Sequence, residues 1–210
     1  MCHKELPSDY TLFGKIDLQK NKTQFWAIQS MALFISAVMI VAGWFIEKLN
    51  INGNAEDFIA LGVLVISYIA YIILHEATHG LVMYLSVRAK LNFGFKGWAA
   101  YAGSTAYFDK KHYILISLAP LVLWGIIFAV LTVFFHSGVW FWVIWLLQTG
   151  NIAGAAGDLF CTYKMFKCPK DILVNDTGLS MTVYRKMTAE EIAERQGGLS
   201  ETINGENSGD

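Results

Sequence analysis

Leu74-His75-Glu76-Ala77-Thr78-His79-Gly80 decides how this chain is read, because it sets three ionisable side chains inside an otherwise apolar run from Phe58 to Val87. Ile72 and Ile73 lead into the stretch, and Leu81, Val82 and Met83 follow it. A run of that length exceeds the roughly 20 residues a helix needs to cross the hydrocarbon core of a bilayer. The stretch is therefore expected on a transmembrane helix. Each ionisable group at membrane depth costs about 2.5 kcal/mol or more on insertion scales, so function is the default reading of all three.

Three further runs reach spanning length: Phe25–Ile46, Tyr113–Phe135 and Val139–Phe160. Composition agrees, since 55% of the residues are hydrophobic and only 16% charged, a balance that fits a membrane protein better than a soluble domain. The expected fold is an all-α polytopic membrane protein with four transmembrane helices. Lys and Arg number 4 before the first span, 1 in the loop after it, 5 after the second, 0 after the third and 6 after the fourth. That alternation places both termini in the cytosol and runs the second and fourth helices from outside inward, as in a multi-pass protein of the cell membrane. We read that membrane as a bacterial plasma membrane. A net charge of −1 offers no basic surface for nucleic acid. Cys2, Cys161 and Cys168 form no paired framework and read as reduced thiols.

Between the spans, residues 1–24 read as a polar cytosolic segment, residues 25–168 as the membrane domain, and residues 169–210 as a cytosolic tail, disordered from about 197. The aromatics and spaced glycines of residues 92–108 predict a short β-hairpin. Lipid cannot satisfy extended backbone, so that hairpin is expected to be re-entrant or interfacial, covered by the helix that carries the histidines. Pro120 predicts a kink in the third span. In the tail, Ile172-Leu173-Val174 and Met181–Tyr184 flank Asn175-Asp176-Thr177-Gly178 and predict a hairpin, and Thr188 with Glu191 forms a capping box.

Residues four apart share a helical face, so His75 and His79 can direct imidazole nitrogens at one ion. The pattern His-Glu-x-x-His supplies two zinc ligands and sets Glu76 as general base on metal-bound water. A bare match of this kind also arises by chance, but chance must here account for three ionisable groups at membrane depth. A catalytic zinc takes three protein ligands. Asp158 is the only acid in the third and fourth spans, and Asn151, Gly154, Ala155 and Asp158 fall on one helical face. Gly150, Gly154 and Gly157 let helices approach closely, which would bring Asp158 to the metal; the alternative is that they serve packing alone while Asp158 snorkels. His75 lies 17 residues after Phe58 and Asp158 lies 19 after Val139, so both sit roughly 25–29 Å along their helices. They reach the same depth, near the cytosolic interface. Asn151 can position substrate, stabilise an oxyanion or simply pack. His112 and His136 read as interfacial residues, Cys161 as an apolar filler, and Asp176-Thr177-Gly178 as a turn.

With these residues in view, the chain resembles the site-2 protease family of intramembrane zinc metalloproteases. It is more similar still to small bacterial membrane proteins described as zincin peptidases of unknown function. The resemblance covers about residues 58–165 and rests on His75–Gly80 and Asn151–Asp158. It implies His75, His79 and Asp158 as ligands of Zn2+ and Glu76 as the catalytic base. Gly154 stands where that family has proline, Leu159 follows the aspartate, and the Asn-to-Asp spacing is one residue shorter. The expected activity is hydrolysis of peptide bonds in a membrane-protein or peptide substrate, held as an extra strand on residues 92–108. A non-catalytic zinc-binding membrane regulator and a metal or proton transporter are the competing readings. Oligomeric state is not legible in the sequence.

Overall fold

The structure, a computed structural model, describes residues 1–16, 21–96, 99–178 and 180–195. The disorder expected from about residue 197 falls outside these. Helix α1 spans Lys22–Ile46, α2 Ala55–Val87, α3 Lys110–Phe134, α4 Gly138–Gly154 and α5 Ala156–Lys167. Four helical runs, with α4 and α5 counted as one, are long and apolar enough to cross a membrane. Polar residues set their starts. Asn21 caps α1, Asn54 and Asp57 form a reciprocal capping box on α2, and Asp109 caps α3, each side chain accepting from an otherwise unpartnered backbone amide. At the end of the bundle where α2 starts, the amide of Gly138 donates to Glu47 and the indole of Trp140 to Glu56, tying the α1–α2 and α3–α4 connections together.

Two expectations are corrected. The chain is mostly helical but not all-α, because six strands form two antiparallel sheets. Strands β2 (Leu91–Lys96) and β3 (Ala99–Ser104) make the expected hairpin. The second sheet has the order β1-β6-β5-β4, from Tyr10–Ile16, Met181–Lys186, Ile172–Asp176 and Tyr107–Asp109. Part of the N-terminal segment, read as a lead-in, is thus an edge strand, held by pairing with β6. The fourth apolar run is also not one uninterrupted helix. It breaks at Ala155, between Gly154 and Ala156. Each glycine costs a helix interior about 0.5–1 kcal/mol relative to alanine, and Gly150, Gly154 and Gly157 concentrate that cost at the break. Pro120, expected to kink the third span, lies inside α3, which continues through it.

Two cores flank the middle of α2. One joins α2, α3 and α4 through Ala60, Tyr71, Phe128, Val143 and Leu147. The other seats the four-stranded sheet on the helices through Met83, Phe108, Ile116, Met165, Val174 and Val183. The β2–β3 hairpin lies on α2 at Gly80, where a Cβ would collide with the ring of Phe93. The glycine that ends the opening stretch is therefore the seat of the hairpin.

Candidate metal centre

His75 and His79, one turn apart on α2, lie with ring centroids 5.0 Å apart. Asp158, in the first turn of α5 just beyond the break at Ala155, meets both. Its two carboxylate oxygens lie 3.4 Å from His75 Nε2 and 3.5 Å from His79 Nε2. Two ligand atoms about 2.0–2.1 Å from one tetrahedral ion stand about 3.3 Å apart, so this spacing suits a single metal.

The other ring nitrogens are held by two different devices. His75 Nδ1 lies 2.9 Å from the hydroxyl of Tyr71, which donates to Asn151 Oδ1 at 3.0 Å; Asn151 Nδ2 donates in turn to the carbonyl of Leu121 at 3.1 Å. The Tyr71 hydroxyl proton is committed to Asn151, so His75 Nδ1 must be the donor and Nε2 presents its lone pair to the centre. His79 Nδ1 donates to the carbonyl of Ile116 at 2.8 Å. That carbonyl is available because the residue four positions on is Pro120, which has no amide to offer it. Both imidazoles are thus fixed in the tautomer a metal requires. Two oriented histidines and a carboxylate, with no cysteine, fit a catalytic zinc.

Glu76, beside the ligands on α2, faces the backbone amide of Ala102 in β3. All four residues line a cavity of about 370 Å³, walled also by Tyr101, Ser117, Cys161, Asp176 and Met181. Asn151 is fully buried, and both ends of its amide are engaged by Tyr71 and Leu121. It does not line the cavity, and of the roles open to it in the sequence the structure places it behind His75. His112 pairs with the Asp109 cap at 2.9 Å, away from the centre. Asp176, read as a turn residue, reaches the cavity and accepts from Tyr113. Burial pushes its carboxyl above the usual range, against hydrogen bonds from Gly178 and Tyr113.

A family model described as "Putative zincin peptidase" matches residues 68–173, half of the chain. The chain belongs to that family. The matched span runs from Tyr68 on α2 into β5, and so takes in His75, Glu76, His79, Asp158 and the residues that orient the two imidazoles. The zincin family carries with it metallopeptidase chemistry and zinc. Asp176 and β6 lie beyond the match, as does β1. No match was found among curated proteins or solved structures.

Sequence reasoning missed Tyr71 and the Ile116–Pro120 pair. Tyr71 had a signal, since it lies four residues before His75 on the same helical face. The freed carbonyl had only the proline itself.

Proposed function

We propose that this zincin is an intramembrane metalloprotease of site-2 protease type, cutting membrane-embedded or membrane-proximal peptides near the cytosolic face. The observation that carries the reading is the convergence of His75 and His79 on α2 with Asp158 on α5, both imidazoles oriented from behind and Glu76 adjacent, within largely apolar helices. The outward faces of the helices support a lipid environment: Phe45 is 85% exposed, Leu33 72% and Val133 71%, more apolar surface than water tolerates on a monomer.

His75, His79 and Asp158 would hold the zinc. Bound there, it supplies an activated water and polarises the scissile carbonyl. Glu76 takes the proton of the attacking water on its carboxylate and passes it to the leaving amine. The substrate must be extended, because a helix hides its amides in its own hydrogen bonds. Backbone groups alternate between the two edges of a strand, so the Ala102 amide that faces Glu76 marks the edge of β3 left free by β2. A peptide added at Ala100–Ala102 would lie alongside the base and the metal ligands.

Glu76→Gln is the test. It should retain about one zinc per chain, measured by elemental analysis, and lower cleavage by about 10²–10⁴-fold. In cells it should trap membrane proteins or peptides that the wild type degrades. Zinc retained with no species stabilised would instead favour the non-catalytic regulator.

A further inference from the structure

The Asp176-Thr177-Gly178 segment ends β5 outside the matched family span, yet it sits over the site. Asp176 Oδ2 accepts from the hydroxyl of Tyr113 on α3 at 2.8 Å, and its Oδ1 accepts from the amide of Gly178 at 2.8 Å. Asn175 donates to the carbonyls of Ser104 and Ala106, at 3.3 and 2.9 Å, drawing the turn towards β3. There the two backbones touch. A Cβ on Gly103 would collide with the carbonyl of Thr177, and one on Gly178, at φ +78°, would collide with Tyr101. Glycine at both positions permits the approach.

The place of contact matters. A Cβ on Gly178 would lie 2.9 Å from the carbonyl oxygen of Ala102, the residue whose amide faces Glu76. The turn therefore packs on the face of β3 that carries Tyr101 and Gly103, and through Gly178 reaches the Ala102 carbonyl on the edge where an extended peptide would be held. Beyond the Asn175 side chain it does so without bonding to β3: among the described residues, no hydrogen bond joins Thr177 or Gly178 to that strand, and their amides are taken by Ser180 and Asp176. A peptide strand pairing with Ala100 and Ala102 would replace mere packing with backbone hydrogen bonds. Resting on the protease reading above, we propose that Asp176–Gly178 is a latch closed over the substrate edge of β3, fastened by the Tyr113–Asp176 hydrogen bond and displaced by an extended peptide.

The test uses full-length, zinc-loaded protein in detergent and a fluorescent peptide hydroxamate as the probe. Tyr113→Phe and Asp176→Ala each cut the fastening, and each should speed association of the probe about tenfold with zinc content unchanged. Their combination should add nothing further, because both remove the same bond. Gly103→Ala, which forces the turn away from the β3 side, should give a similar gain and serves if either of the others fails to fold. Unchanged or slower association in variants that keep zinc overturns the latch. Amide exchange at Thr177 and Gly178, read by mass spectrometry, should rise in Tyr113→Phe and rise in the wild type when the probe binds. Protection on binding would mean a lid that closes, which also overturns it. A wild type that holds no zinc and binds no probe defeats the protease reading instead; exchange in Tyr113→Phe then still decides the latch.

Discussion

The two histidines of the candidate centre do the same work with opposite supports. Behind His75 stands a relay of side chains, Tyr71 to Asn151 to the Leu121 carbonyl, that crosses from α2 to α4 and on to α3. Behind His79 stands one backbone carbonyl, Ile116, uncovered by the proline four residues on. The relay can be cut by trimming a side chain. The carbonyl cannot, and can only be engaged elsewhere. Polar groups buried in a helix bundle need partners, and here one acceptor is provided by adding side chains and the other by deleting a competing donor.

Three measurements of zinc affinity, by competition with a chelator, would break or sharpen that contrast. The largest loss is expected for the Asn151→Ala, Pro120→Ala double variant. Both supports end on α3 on either side of Pro120, so the combined loss should be about 300-fold, short of the product of the singles. Full additivity would mean that the supports are independent. Next comes Asn151→Ala alone, which leaves the Tyr71 hydroxyl without its acceptor and frees His75 to change tautomer. Loss of a partner behind a metal ligand typically costs roughly 10–100-fold, and the upper part of that range is expected. The smallest effect belongs to Pro120→Ala. It supplies an amide that competes with His79 for the Ile116 carbonyl, and a loss of about tenfold should follow. An unchanged affinity there would show that the proline shapes α3 and does not serve the site.

Much of the architecture was legible. The four long helical runs were written in the lengths of the apolar stretches, and the β2–β3 hairpin in the aromatic and glycine pattern around Phe93 and Gly94. The hairpin of the tail showed itself as two short apolar runs about a turn, because Ile172, Val174, Met181 and Val183 point into a core. Strand β1 carried no such pattern: Leu12 is 63% exposed and Phe13 49%, and its partner β6 lies far along the chain. The break at Ala155 was hidden by the assumption that one helical face ran unbroken from Asn151 to Asp158. At the site, the motif itself named His75, Glu76 and His79, and Asp158 stood out as a lone acid in apolar surroundings. What lay behind them did not, since a contact such as that of Tyr71 with Asn151, 80 positions apart, belongs to packing and leaves no local pattern.

The four-stranded sheet draws β1 from ahead of α1 and β6 from beyond α5, with β5 and its turn over the site between β6 and β4. During synthesis, β1 waits unpaired while the helices are made. The sheet cannot close, and the turn cannot settle over the metal ligands, until Lys186 has left the ribosome. His75, Glu76, His79 and Asp158 all precede β5 in the chain, so the order of translation alone leaves the candidate centre open for a metal to enter before the turn covers it.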